Sequence, residues 1–593
     1  MTFDLASRHS LGDAFEERVA ARSDAVALTL HRGAAAEPES VTYAELARRA
    51  RLRASALAAR LAPGKRVILA LPTGIEFAEY YLGCLMAGLV CVPAPAPGGS
   101  ARAAERITVI AADCEPELIV AAESDVAALV DGFAGAGSAA TAIEAAAPAG
   151  RGETDGLPAD RPRPHRGTLA VIQYSSGSTG TPRGVVLAHG TILDNVQAMH
   201  ESGGIGPDDR FGSWLPLHHD MGLFAMLSAP LVFGAPLALM APSDFVRRPV
   251  EWMRMLDRYR VTVTAAPDFA FDLCSRAIPD AAIEGLDLSE LVFLLDGSEP
   301  INAATMAAFS ARFARAGLGP DVIAPCYGMA ECTAYVSAKP RGGQVTAMQA
   351  DVAALSRAEG PELRPTAVGV GRALVGCGMP AGDAAIVDPA TRRALAPGRI
   401  GEIWLRVPGI GLGYWGHPEL SARTFDVRLE GADAEGAVRS GTSGWLRTGD
   451  LGALIDGQLY ITGRLKEVLI VRGRNLFPQD LEQHARSAHK ALAGFVGAAF
   501  SVPAPDERVV LVHEVNPTLR PAEFPGVTAA VADCLTVEFG VPVRNILLVR
   551  RGSIRRTTSG KIQRTAMRER FLAGEITALH TELEPALLRV GAP

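Results

Sequence analysis

The chain has 593 residues, which at roughly 150 residues per domain allows about four structural units and a large buried core. Hydrophobic residues make up 48% and charged residues 21%, and 58 basic side chains stand against 65 acidic ones, a formal net charge of −7. That balance excludes a disordered chain and speaks against a dedicated nucleic-acid binder, which carries a basic excess. The eight cysteines include no C-x-x-C pair, so neither a disulfide framework nor a structural zinc site is expected, and a reducing compartment such as the cytoplasm is.

Met1 to Gly12 lacks a 7–15-residue apolar core, so no secretory signal is expected. Thr42-x-x-Glu45 reads as a capping box opening a helix that runs to about Leu61. Arg66 to Leu71 reads as a strand, Gly74 to Ala87 as a helix and Val90 to Val92 as a strand. This alternation predicts a largely parallel sheet covered by helices, hence an α/β fold. Residues 145 to 168, rich in Pro, Gly and Arg, read as a surface connection, and a second lobe starts at Leu169. The uncharged run Met221 to Ser243 is long enough to span a bilayer. Pro230, Gly234, Pro236 and Pro242 interrupt it, which favours a buried helix, a turn and a buried strand, with no membrane insertion. From Gly401 to Thr462 short strands and Gly turns predict a small β-rich region. After Gly463 comes a further domain of about 130 residues ending in a basic stretch and a helix from about Thr558.

The strongest local signal is Tyr174-Ser175-Ser176-Gly177-Ser178-Thr179-Gly180-Thr181-Pro182-Arg183-Gly184, between strands Leu169 to Gln173 and Val185 to Leu187. Glycines let the backbone turn toward a ligand, the hydroxyls donate hydrogen bonds and Arg183 adds positive charge, a combination suited to a polyphosphate. It is not a Walker A loop, because a strand follows it rather than a helix.

This segment resembles the phosphate loop of the adenylate-forming superfamily, and further signatures follow in the family's order. Asp296-Gly297-Ser298-Glu299-Pro300 resembles the adenine-lining segment, and Tyr327-Gly328-Met329-Ala330-Glu331 the aromatic-plus-acid motif. Trp445-Leu446-Arg447-Thr448-Gly449-Asp450 resembles the ribose motif, Gly463-Arg464-Leu465-Lys466-Glu467 the hinge, and Thr558-Ser559-Gly560-Lys561-Ile562-Gln563-Arg564 the catalytic-lysine loop. The resemblance implies a large N-terminal domain, residues 1–463, of α/β subdomains with a small β-rich one. It implies a small mobile α+β lid at residues 464–593. ATP would be held by Ser175, Ser176, Gly177, Ser178, Thr179, Gly180, Arg183, Gly297, Ser298, Glu299, Tyr327, Gly328, Met329, Ala330, Asp450 and Arg464. Magnesium would sit on Glu331 and Thr179; Lys561, His219 and Glu331 would be catalytic; and Lys466 would be the hinge.

Within the superfamily the chain is most similar to the fatty acyl-AMP ligases. Ser213-Trp214-Leu215-Pro216-Leu217-His218-His219-Asp220-Met221-Gly222-Leu223 resembles their acyl-site segment, with His219 at the acyl-site histidine. Ala266-Pro267-Asp268-Phe269-Ala270-Phe271 resembles the tunnel wall, and Ile470 to Glu482 the lid signature. The resemblance therefore implies an acyl site of His219, Asp220, Met221, Gly222, Pro267, Asp268 and Phe269. The partners it implies are a fatty acid and an acyl carrier protein, for which Arg472, Arg474 and the run Arg551 to Arg564 form a basic docking surface. About Arg341 to Pro365 reads as the branch's insertion. Three departures stand out: Arg183 occupies the usual lysine position, Asp268 a position where Asn is expected, and Asp296-Gly297-Ser298 the place of Asn-Gly-Ala. His218 is expected to be a polar core neighbour. The competing readings are an acyl-CoA synthetase, an amino-acid adenylation domain and a non-catalytic acyl-adenylate binder.

Overall fold

The computed structural model describes residues 4–585 and 587, except 34–36, 136–140, 147–155, 159, 176–181, 358, 368–370, 432–443, 472–473, 505, 540–542 and 558–559. The expected alternation is present. Thr42 caps the helix Tyr43–Ala58 by accepting the Glu45 N–H at 3.2 Å. Its expected reciprocal bond is replaced, because the Glu45 carboxylate accepts instead from Arg48 and Arg49 one turn on. Arg66–Ala70, the helix Ile75–Met86 and Val90–Pro93 follow. They belong to a six-stranded sheet whose neighbours pair in parallel until Leu169–Ser175 and Arg183–Ala188 close one edge as an antiparallel hairpin. Arg183 thus lies on a strand, opposite Ser175, while Ser176 to Thr181 fall outside the described residues.

A nine-stranded sheet forms the second layer of the large lobe. Ile323–Tyr327, Phe293–Asp296, Val263–Ala266 and Phe211–Ser213 run side by side and parallel. Their C-terminal ends therefore open on one side. In a parallel sheet that edge collects ligands, because the loops leaving it converge on a crevice. The motif segments Tyr327–Glu331, Asp296–Pro300, Ala266–Phe269 and Ser213–Leu223 all leave the sheet there.

The Met221 to Ser243 run is buried as its prolines and glycine imply: a π-helical stretch Met221–Ser228, a helix Ala229–Phe233 stopped by Gly234 at φ 80°, and the strand Leu237–Met240. No helix among the described residues is long and apolar enough to cross a membrane. The β-rich region is a four-stranded antiparallel sheet that includes Gly401–Arg406, Leu446–Ile455 and Gln458–Arg464. Of the 145 to 168 connection, Ala145 ends the strand Ala142–Ala145, and the other described residues, 146, 156–158 and 160–168, carry neither helix nor strand.

Beyond the 3-10 turn Leu465–Glu467, which contains Lys466, the last part of the chain builds its own four-stranded sheet and two apolar clusters. Here one expectation is corrected. The final basic helix starts at Arg564 rather than near Thr558, because Arg556 and Ile562 pair across a tight hairpin that carries Lys561. Arg564 itself is not part of a solvated basic face. It pairs with Glu467 of the hinge turn and bidentately with Glu482, whose side chain is nearly buried.

The π-helical stretch depends on Gly222. A Cβ there would lie 2.2 Å from the Pro216 carbonyl oxygen, a backbone clash that no rotamer relieves. Gly222→Ala is expected to cost about 3 kcal/mol or more, read as a large fall in melting temperature or loss of soluble protein; an unchanged melting curve would contradict this account of the turn.

Candidate active site

The C-terminal ends of the parallel strands set out a cleft, and the hairpin that carries Lys561 lies against it. Trp214 stacks on Phe245 with ring centroids 3.9 Å apart, and Phe269 meets Trp214 edge-on at 6.1 Å, giving the cleft an aromatic wall. Gly560, the residue before Lys561, sits against Phe269: a Cβ there would lie 3.2 Å from its ring. Residues of the acyl segment and of the lysine hairpin thus touch.

Lys561 keeps its side chain open to the solvent of the cleft. Even so, the protein around it makes desolvation the first influence on its ammonium group, which with Arg464 holds its pKa below the usual lysine value; Asp220, Asp450 and Glu299 oppose that shift. The cation is therefore within electrostatic reach of three acids drawn from separate motifs. His219 is held well below the ordinary imidazole pKa by desolvation, then by His218, Arg106 and Lys561. It is uncharged at neutral pH and cannot supply a second cation. His218 packs on His219 with centroids 4.5 Å apart, and desolvation pushes its pKa down to about 3. Asp220 caps the π-helical stretch through the Met221 N–H at 2.8 Å.

On the other side of the cleft Tyr327 donates its hydroxyl to Asp450 at 2.7 Å, and the Arg464 Nε donates to the other Asp450 oxygen at 2.7 Å. Each carboxylate oxygen has two lone pairs, so Asp450 retains acceptor capacity for further donors. Gly328 is demanded by close approach, since a Cβ there would lie 1.7 Å from the Ala334 carbonyl oxygen. Ser298 holds a left-handed φ of 70°, and its hydroxyl faces the Met221 sulfur at 3.7 Å. Glu331 accepts the Tyr414 hydroxyl at 2.8 Å. Such a hard carboxylate oxygen fits a magnesium ion. Thr179, the other expected magnesium residue, lies outside the described residues, as do Ser176, Gly177, Ser178 and Gly180.

Sequence reasoning missed three parts of this arrangement. Tyr414 belongs to none of the motifs, Arg564 was read as surface charge, and the Asp268, Asp296 and Glu299 cluster showed only as two substitutions. Asp268 accepts the Asn302 N–H at 2.9 Å and Glu299 the Phe269 N–H at 2.6 Å. Asp296 is fully buried, with neither carboxylate oxygen accepting a hydrogen bond. Desolvation, then Asp268 and Glu299, push Asp296 well above the usual carboxylate range, and desolvation raises Asp268 to about 7. A surface groove of about 560 Å³ lined by Ser100, Ala104, Thr108 and Gly132 shares no residue with the cleft.

The AMP-binding enzyme family matches residues 15–415. The chain is 35% identical over 553 residues, 91% of each chain, to the medium-chain-fatty-acid–[acyl-carrier-protein] ligase JamA of Moorena producens. It is 35% identical over 572 residues, covering 91% of this chain and 90% of the relative, to the long-chain-fatty-acid–AMP ligase FadD32 of Mycolicibacterium smegmatis. The chain belongs to the fatty acyl-AMP ligase branch of the AMP-binding enzymes. A solved structure from work on fatty acyl-adenylate ligases of E. coli and L. pneumophila superposes with a TM-score of 0.83 at 28% identity, over 96% of this chain and 98% of that one. The L. pneumophila fatty acyl-adenylate ligase in complex with acyl adenylate and pyrophosphate superposes with a TM-score of 0.72 at 26% identity, over 97% and 98%. The adenylate-forming α/β fold expected from the sequence is therefore the fold of this ligase.

The buried acids have a measurable consequence. An Asp whose folded pKa is about 7 against about 3.9 unfolded binds its proton more tightly when folded. Stability is then lost as pH rises from about 4 through 7. The double variant Asp268→Asn, Asp296→Asn keeps acceptor oxygens without the acid. Its melting temperature is expected to gain a few degrees over the parent between pH 5 and 8; parallel pH profiles would contradict the assignment of raised pKa values.

Proposed function

We propose that this ligase joins a fatty acid to AMP from ATP, releasing pyrophosphate, and passes the acyl group to the phosphopantetheine thiol of an acyl carrier protein. The observation that carries the reading is Lys561: a lid residue reaches into the cleft within range of Asp220, Asp450 and Glu299 of the large lobe. The printed names of JamA and FadD32, one a fatty-acid–carrier ligase and the other a fatty-acid–AMP ligase, support the two halves of the reaction.

In the first half a carboxylate oxygen of the fatty acid bonds to the α-phosphorus while the bond to the bridging β-phosphate oxygen breaks. Both partners are anions. No protein base is required, because the ionised acid already has its lone pair, so positioning and charge stabilisation must lower the barrier. Lys561 supplies a compact cation on a flexible stem between the two anions. His219 meets the acid as a neutral imidazole, Tyr327 gives the adenine a flat partner, and Asp450, held by Arg464, receives the ribose hydroxyls. Glu331 and Thr179 would hold magnesium, which supplies positive charge to the departing pyrophosphate. In the second half the thiol sulfur bonds to the acyl carbon, AMP leaves with the carbon–oxygen bond electrons, and the thiol proton passes to solvent.

The insertion supports a carrier rather than free coenzyme A as acceptor. It ties itself to the lid: the Asn475 N–H donates to the Ser356 carbonyl at 2.9 Å, and the Asn475 amide donates to the Arg357 carbonyl at 2.9 Å. Such a lid resists the pose that a free coenzyme needs. Of the basic residues expected to meet the carrier, Arg551 and Arg555 are exposed. Arg474 is exposed too, with one guanidinium nitrogen donating to the Phe539 carbonyl, Arg564 is spent on ion pairs, and Arg472 lies outside the described residues.

Lys561→Ala is expected to slow adenylation, measured by pyrophosphate exchange, by at least ~100-fold, about 2.7 kcal/mol, while calorimetric ATP binding persists. Exchange at the parent rate would remove the lysine from the mechanism. Supplied with fatty acids of graded length and ATP-Mg, the parent protein should accumulate acyl-AMP, form little acyl-CoA when given coenzyme A, and load a holo-carrier protein. Rapid thioester formation with coenzyme A alone would make it an acyl-CoA synthetase instead.

A further inference from the structure

Between the phosphate-loop hairpin and Glu331 runs a strap, Gly409 to Trp415, with no helix of its own. Its backbone is fastened on both sides. Toward the hairpin, Leu412 donates to the Val186 carbonyl, Val186 donates to the Gly413 carbonyl, and Trp415 donates to the Gly184 carbonyl, all at 2.8–2.9 Å. Toward the acid turn, Gly411 donates to the Glu331 carbonyl at 2.9 Å, and the Thr333 hydroxyl donates to the Gly409 carbonyl at 2.8 Å. Ser421 fixes the strap once more by accepting the Tyr414 N–H at 2.8 Å.

Tyr414 projects from this strap between two groups that the proposed mechanism keeps separate. Its hydroxyl donates to the Glu331 carboxylate at 2.8 Å. The Arg183 guanidinium lies 5.8 Å from its ring centroid. Phe425 packs edge-on against the same ring at 5.2 Å, fixing its plane. A cation–π contact on one side and a hydrogen bond on the other thus join the cation at the base of the phosphate loop, through a phenol, to the carboxylate assigned to magnesium. The planar guanidinium suits this role, because it can stack on a ring and donate in a fixed direction where an ammonium is a point charge.

We propose that Tyr414 is a positioning residue that holds Glu331 and Arg183 in register, so that nucleotide and magnesium are bound cooperatively rather than at two independent places. The inference rests on the reading of Glu331 as the magnesium carboxylate. A donor locked onto one oxygen fixes the carboxylate plane, and the ring that carries this donor packs against the Arg183 guanidinium. Preorganisation of this kind shows in the coupling between the two ligands, which must be equal in both directions.

The test measures that coupling by calorimetry on the full-length protein. The probe is α,β-methylene-ATP, titrated with and without saturating magnesium chloride; the ratio of the two dissociation constants is the magnesium-dependent gain. Tyr414→Phe keeps the ring and removes the donor, and is expected to cut the gain at least about tenfold, the lower end of the scale of one hydrogen bond to a charged group. In a Glu331→Gln background the same change should have no further effect. Arg183→Lys approaches the other link without touching the strap and should lose at least about threefold of the gain. An undiminished gain in Tyr414→Phe overturns the proposal, and so does an equal fold loss in the Glu331→Gln background, which would make the effect merely structural. Should Tyr414→Phe not fold, an unchanged gain in Arg183→Lys overturns it. A parent protein that binds the probe equally with and without magnesium overturns the reading of Glu331, and the proposal with it.

Discussion

A carboxylate and a triphosphate repel each other, and a protein that joins them must hold cationic charge in the gap before the bond forms. Two unit charges 4 Å apart interact by about 1 kcal/mol in water but by about 4 kcal/mol where the effective dielectric falls to 20. The geometry of the cleft follows from that difference. Lys561 and Arg464 are set among Asp220, Asp450 and Glu299, so each charge is compensated while the ammonium keeps access to the cleft. His219 adds shape and a neutral ring without disturbing the balance, because its surroundings hold it uncharged.

Four parallel strands ending in one direction bring this about economically. The register Ala266 beside Asp296 beside Pro325 sets neighbouring strand ends level, so the segments leaving them meet. Close backbone approach then fixes each segment: Gly222 lies against the Pro216 carbonyl and Gly328 against the Ala334 carbonyl, where any side chain would intrude. The cost of building acids into such an edge is visible at Asp296, buried with neither carboxylate oxygen accepting a hydrogen bond and with its pKa pushed well above the usual carboxylate range.

How much of this was legible in the sequence depended on whether the signal was local. The helix capped by Thr42 and the strand hairpin around the phosphate loop were legible because capping and hydrophobic periodicity act within a few residues. Lys561, Asp450, Glu299 and Glu331 were legible because each lies in a compact motif. Tyr414 was not: it lies 83 positions from Glu331, in a strap without periodicity, and its meaning comes from backbone pairing with Val185 across the sheet edge. Arg564 was misread for the same reason. A basic run looks solvated until the fold places Glu467 and Glu482 against it.

Those two ion pairs also decide how the lid can move. Arg564 follows Lys561 by three residues and bonds both the hinge turn and the helix Pro478–Ala488, so the lysine hairpin is braced against the rest of the lid instead of moving alone. Any rotation of this last part of the chain about Lys466 would carry Lys561 out of the cleft as part of a larger body. The same rotation must part the lid from the large lobe and the insertion wherever they touch. Arg372 gives up its ion pair with Asp480 at 3.0 Å, with both side chains mostly buried, and Asn475 leaves Ser356 and Arg357. Breaking a partly buried ion pair leaves a charge without a partner, and every 1.4 kcal/mol moves the open population tenfold. The same contacts thereby hold the Lys561 hairpin in place over the cleft.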